Sequence, residues 1–174
     1  MKIALDLDGV LYPWQTAVHD WCVRSGLTDV DYHTFWKTWW WTRNTMFFYN
    51  VVRDPTLYEN HVPTQRLMDF LKDLSTRHTI FYITARPPEM ERVTERYLST
   101  YKFPNVENLI LSRSKGIEIV RNRINVMVED NFKNAEEASI HCTAYLVNMP
   151  YNVDLTSNSR VTRINSVFNL EGVL

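Results

Sequence analysis

Asp6 and Asp8 stand one residue apart near the start of the chain, in the run Asp6-Leu7-Asp8-Gly9-Val10-Leu11. They fall in and just beyond residues 2–7, an apolar run that reads as a short buried strand, so both carboxylates sit at its C-terminal end. Side chains alternate along a strand, which points positions 6 and 8 the same way. Two carboxylates on one face of a buried strand end are costly unless a cation or protons offset them. Magnesium suits an all-oxygen site and keeps part of its shell for water and a phosphate. Gly9 then supplies a permissive turn, leaving backbone N–H groups to face an anion.

Further polar groups close the other apolar runs. Residues 79–84 read as a strand ending in Thr84, followed by Ala85, Arg86 and Pro87. Residues 107–111 form a third strand, and Lys115 follows it to open a helix. A fourth strand, 125–129, ends in Glu129 and Asp130, and a fifth is expected at 144–147. Helical stripes lie between them at 64–77, with Thr64 as N-cap, at 88–101, and in shorter form at 115–123 and 132–141. Short continuous apolar strands alternating with helices predict an α/β fold, a Rossmann-like doubly wound parallel sheet with ligands beyond the strands' C-terminal ends. Acid pair, hydroxyl, ammonium and acid pair therefore converge on one rim.

One interval breaks this rhythm. Roughly fifty residues separate the first strand from the 64–77 helix, too many for a single crossover, and they hold all six tryptophans. Residues 15–25 read as a helix that Gly26 stops, and 35–41 as an aromatic second helix. We therefore expect a core of residues 1–13 and 64–174 with a small helical cap, 14–63, inserted after the first strand. Tyr12, Trp14, Trp39, Trp40 and Phe47 are candidates to stack on a nucleobase, and equally candidates for the insertion's own apolar core. Trp14, just past the acidic motif, is the one whose position favours ligand contact. Arg86 joins the substrate-pocket candidates, with a solvated surface arginine as the alternative.

Composition narrows the field. The formal net charge of -1 removes a simple electrostatic case for nucleic acid. Between Gln15 and Val62 four Lys/Arg face five Asp/Glu, which makes no basic groove. No apolar run approaches the ~20 residues that span a bilayer, and Asp6 and Asp8 interrupt any signal-peptide core. A soluble, cytoplasmic protein with two reduced cysteines is expected. Only four glycines occur, too scattered for a P-loop or a dinucleotide fingerprint.

Taken together, Asp6-x-Asp8-Gly9-Val10-Leu11, Thr84, Lys115 and Glu129-Asp130 resemble the four-motif set of the haloacid dehalogenase-like phosphatases, over residues 2 to about 147. Within that superfamily the chain is most similar to the 5'(3')-deoxyribonucleotidases, through its length, early cap, Trp14, Met46-Phe47-Phe48-Tyr49 and Leu109-Ile110-Leu111-Ser112-Arg113-Ser114-Lys115. The resemblance implies that Asp6 is the nucleophile and Asp8 the acid–base. It implies phosphate held by Thr84, Lys115 and the N–H groups near Gly9 and Ala85. Mg²⁺ would be bound by Asp6, the Asp8 carbonyl and Asp130, with Glu129 orienting Lys115 or a metal-bound water. Ala85 and Glu129 depart from the serine and aspartate frequent in that family.

The expected activity is Mg²⁺-dependent phosphomonoester hydrolysis through an aspartyl-phosphate, on (deoxy)ribonucleoside monophosphates. A nucleic-acid 3'-end phosphatase and a non-catalytic binding module on the same scaffold are the alternatives. The expected partner is a small-molecule phosphate monoester, without membrane or stable nucleic-acid binding; a homodimer is compatible with the sequence.

Overall fold

The structure is a computed structural model that describes residues 1–38, 51–156 and 160–173. Six strands form one parallel sheet: β1 (Lys2–Leu5), β2 (Thr79–Thr84), β3 (Leu109–Leu111), β4 (Val126–Glu129), β5 (Thr143–Val147) and β6 (Val161–Ile164). Their order across the sheet is β3-β2-β1-β4-β5-β6, with every neighbouring pair parallel. Connections leave β1 and β4 toward opposite edges, so the topological switch lies between these two strands, where a crevice must open.

Alternation along the strands builds two apolar layers. Ile3, Leu5, Ile80, Tyr82, Val126, Val128, Tyr145 and Val147 face one side. Ala4, Phe81, Ile83, Met127, Ala144 and Leu146 face the other. The second layer is closed by helices α5 (Lys115–Asn122) and α6 (Phe132–Ala138), through Ile119, Ala135 and Ala138. The first is closed by α3 (Gln65–Arg77) and α4 (Glu91–Thr100), through Leu67, Leu71, Leu74, Val93 and Tyr97. Thr64 caps α3 as expected, its hydroxyl accepting from the Leu67 N–H at 3.2 Å. Residues 88–90 form a 3₁₀ turn ahead of α4 rather than its first turn. Pro87 and Pro88 supply no N–H there.

The inserted segment supplies α1 (Trp14–Arg24), α2 (Tyr32–Thr38) and a 3₁₀ turn, Pro55–Tyr58. Trp14, Val18 and Cys22 recur at four-residue spacing on α1, and that is its buried face. The helix ends as the glycine predicts: Gly26 has φ 68°. Its N–H and that of Leu27 return to the Val23 and Cys22 carbonyls at 3.0 and 2.9 Å. Trp14, Phe35, Trp36, Leu57 and Tyr58 join the same apolar cluster as β1, α3 and α4. Insertion and sheet thus share one core.

Strand β6 is not signalled by the sequence pattern, because Val-Thr-Arg-Ile offers a short half-polar run suited to an edge. Cys22 and Cys142 are free thiols. Among the described residues no helix is long and apolar enough to cross a membrane.

Trp36 is fully buried at the junction, with its indole N–H on the Gln15 carbonyl at 3.2 Å. Trp36→Ala is expected to cost about 3–5 kcal/mol. Because the core is shared, urea melts followed by fluorescence and circular dichroism should remain a single coincident transition.

Candidate active site at the β1–β4 switch

The register explains why distant acids meet. Leu5 pairs with Val128, and the Asp6 N–H donates to the Val128 carbonyl at 2.9 Å. Asp6 therefore leaves β1 level with the end of β4, where Glu129 and Asp130 follow. Among the described residues, Asp6, Glu129 and Asp130 each bring a carboxylate oxygen within 4.8 Å of the others, and all three are buried. One ammonium serves them. Lys115, at the first position of α5 and 1% exposed, places Nζ 2.9 Å from Asp6 Oδ1 and 2.5 Å from Glu129 Oε1.

Glu129 is fully engaged. Its Oε1 also accepts from Asn134 at 2.9 Å, and its Oε2 accepts from the Asp130 and Asn131 N–H groups, each at 2.8 Å. Burial pushes its pKa up, but Lys115 and these donors outweigh burial and hold it below the usual range. Asp6 has fewer partners, Lys115 and the Leu7 N–H. Burial first, then the Glu129 charge, raise it to about 8, with Lys115 opposing. Asp130 is raised well above its ordinary value, by burial and then by Glu129 and Asp6. Lys115 is raised despite its burial, because two carboxylates hold its proton.

Asp130 is tied down by groups that no motif signals. Gln15 of α1 donates to its Oδ2 at 2.7 Å, and the Tyr151 hydroxyl donates to the same oxygen. Asn152 donates to the Asp130 carbonyl at 2.6 Å and to the Val147 carbonyl at 2.8 Å. Arg163 of β6 pins this loop through the Asn148 side chain at 2.9 Å and the Asn152 carbonyl at 2.8 Å. The edge strand thus anchors the loop that brings Tyr151 to Asp130.

Asp8 takes a different partner from Asp6. Arg86, two residues beyond Thr84, grips it with a two-pronged ion pair, Nε to Oδ2 at 2.9 Å and Nη2 to Oδ1 at 2.6 Å. Thr84 is buried, and its hydroxyl accepts from the Arg86 N–H at 3.3 Å, which keeps its own proton for an acceptor. Ala85 is exposed at the strand end.

Gly9 enters the site differently from the sequence expectation. Its N–H donates to the Tyr12 carbonyl at 2.8 Å, so it is no anion donor. Its role is steric: φ is 84°, and a Cβ would lie 2.1 Å from Asp130 Oδ2. Of the pocket candidates, Tyr12 and Trp14 are 2% and 5% exposed. Tyr12 packs edge-on to Tyr97, and Trp14 lies near-parallel to Tyr58 with centroids 6.4 Å apart. Trp39, Trp40 and Phe47 lie outside the described residues. Sequence reasoning misses Gln15, Tyr58, Asn134, Tyr151 and Asn152, since nothing in their spacing marks them.

The donor set fits a divalent cation. Three buried carboxylates share one ammonium, and Asp6 and Asp130 are the two whose pKa is raised. Glu129 is spent on Lys115 and three further donors. Asp6 and Asp130 are the side chains left to hold a metal.

The sheet order and the inserted helices define an α/β Rossmann-like fold. Solved structures of haloacid dehalogenase-like hydrolases share that fold. The chain is similar to a haloacid dehalogenase-like family hydrolase from Streptococcus pneumoniae, with TM-score 0.64 and 12% identity over 99% of this chain and 98% of that one. It is similar to the HAD-hydrolase YfnB from Bacillus subtilis bound to magnesium, with TM-score 0.62 and 11% identity over 99% and 97%. A HAD family hydrolase from Deinococcus radiodurans with bound phosphate and sodium gives TM-score 0.53 and 13% identity over 94% and 90%. No family model matches the chain, and no curated protein matches it.

A raised carboxylate makes the folded protein the stronger proton binder, so stability contributed by protonated Asp6 is lost as pH rises toward about 8. His61 and His78, both lowered by burial, act in the opposite sense around their unfolded pKa. Between about pH 7 and about pH 8 they are mostly neutral in both states. Over that window Tm in chelator is expected to fall, and Mg²⁺ is expected to raise Tm more at the upper end. Differential scanning fluorimetry reads both effects.

Proposed function

We propose that the chain is a phosphomonoesterase in which Asp6 forms an aspartyl-phosphate, acting with Mg²⁺ on nucleoside monophosphates, deoxyribonucleotides included. The observation that carries this reading is the pairing of Asp6 and Asp8 with different cations. Lys115 steadies a nucleophile, while Arg86 holds a second carboxylate two residues away. A bound Mg²⁺ would supply charge neutralisation at Asp6 and Asp130, as its all-oxygen chemistry suits.

The chain's own residues account for the steps. Lys115 and the Leu7 N–H both bond Asp6 Oδ1, at 2.9 and 2.8 Å, so Oδ2 is the oxygen for attack. As its bond to phosphorus forms, the ester P–O bond breaks, and Asp8 gives its proton to the departing alkoxide. Thr84 Oγ1 and Lys115 Nζ hold phosphoryl oxygens. Asp8 then takes a proton from the water that attacks phosphorus, and inorganic phosphate leaves with Asp6 restored. Displacement of a halide would need no proton donor, so Asp8 favours an oxygen leaving group. The similar Deinococcus structure, which holds phosphate, supports the same choice.

The nucleotide assignment rests on the aromatic insertion and on the resemblance of the motifs. A panel of deoxy- and ribonucleotides, sugar phosphates and 3'-phosphorylated oligonucleotides, assayed with Mg²⁺ for phosphate release, is expected to show turnover strongest on the nucleotides. Turnover of oligonucleotides alone would replace this reading with end processing, and silence on the whole panel would leave a binding module. Asp6→Asn should abolish turnover with an unchanged circular-dichroism spectrum. Near-normal activity in that variant would sink the nucleophile assignment.

A further inference from the structure

The buried arginine at the end of β2 does more than neutralise charge. Arg86 has 1% side-chain exposure, whereas Asp8 keeps 20% and so opens toward the crevice. Both prongs of the guanidinium are spent on the two Asp8 oxygens, which fixes the plane of that carboxylate. The third nitrogen, Nη1, donates to Thr94 Oγ1 at 3.1 Å, and Thr94 is itself anchored on the Met90 carbonyl at 2.7 Å. Aromatic rings wall the guanidinium: its carbon lies 4.4 Å from the Tyr58 centroid and 5.2 Å from that of Tyr12. Tyr58 is held in turn by its hydroxyl on the Val52 carbonyl at 2.7 Å.

Among the described residues no ion pair joins Arg86 to the nucleophile. Lys115 serves Asp6 and Glu129, and Arg86 serves Asp8 alone among the described acids. A buried ion pair adds little net stability over apolar packing, so the reason for this one lies in geometry. We propose that Arg86 is the positioning residue of Asp8. It aims the carboxylate at the leaving-group oxygen, while Thr94, Tyr12 and Tyr58 hold the guanidinium in register. Arg86 is then committed to the acid–base rather than to substrate phosphate. The inference rests on the phosphomonoesterase reading of the same site and adds a residue-specific consequence to it.

Leaving-group dependence tests it. An alkoxide departs only with a proton, whereas p-nitrophenolate departs without one, so misplacing Asp8 harms the first reaction selectively. Arg86→Met should lower kcat/KM for a nucleoside monophosphate by roughly 10²-fold, within the range of general acid–base catalysis. On p-nitrophenyl phosphate the loss should stay below about tenfold, since that leaving group needs little acid assistance. Arg86→Lys keeps the charge without the fork and should show the same selectivity. Tyr58→Leu should show it in weaker form. Against an Asp8→Asn background, Arg86→Met should cost little more on either ester.

Equal losses on both esters, full rescue by lysine, or additive losses in the double variant would each overturn the assignment. Thermal melts establish that each variant is folded, and if Arg86→Met fails to fold, the lysine and Tyr58 variants decide the matter. Wild-type protein inactive on both esters would instead remove the phosphomonoesterase reading, and the positioning role with it.

Discussion

Lys115 carries one positive charge into a space that holds three carboxylates. The parallel register of β1 and β4 brings Asp6, Glu129 and Asp130 together at the sheet's switch point, and the first residue of α5 delivers the ammonium between two of them. In a buried setting such repulsion is severe, and the surrounding structure answers it unevenly. Glu129 takes Lys115 and three further donors and stays ionised. Asp6 and Asp130 are held above their ordinary pKa by burial and by neighbouring carboxylates, and their oxygens fit a further cation. The Asp130 tethers, Gln15 and Tyr151, arrive from the inserted helix and from the loop after β5, so both ends of the chain contribute to one carboxylate.

The loop after β1 separates two acids that the sequence sets one residue apart. The Leu7 carbonyl accepts from the Leu11 and Tyr12 N–H groups at 2.9 and 2.7 Å, folding the chain back immediately beyond Asp8. Gly9 must occupy the left-handed region there, against Asp130, where any side chain would collide. This tight return leaves Asp6 facing α5 and Asp8 facing the end of β2. Two carboxylates one residue apart thereby meet different cations.

Trp14, Trp36 and Tyr58 join the core of the sheet, and Tyr58 walls the guanidinium that grips Asp8. A small insertion has little interior of its own, so it borrows the apolar face of the domain it covers. Its seating and the order of the site are therefore one structural fact.

Strand ends are legible in the sequence because a short apolar run closed by polar residues is hard to accommodate except as a buried strand reaching a sheet edge. Among the described residues, five of the six strands, the Thr64 cap, the Gly26 stop and the meeting of Asp6, Lys115, Glu129 and Asp130 follow from such local patterns. The half-polar edge strand β6 does not, because its pattern depends on a neighbour that the sequence does not show. The partner of each charge is also invisible there. Arg86 reads as a pocket or surface residue, Gly9 as an anion donor, and Gln15 and Tyr151 as nothing in particular. Spacing along a chain encodes which side chains share a face. That Arg86 meets Asp8 and Lys115 meets Asp6 is decided by contacts between segments roughly eighty to one hundred and ten residues apart, and those exist only once the sheet has closed.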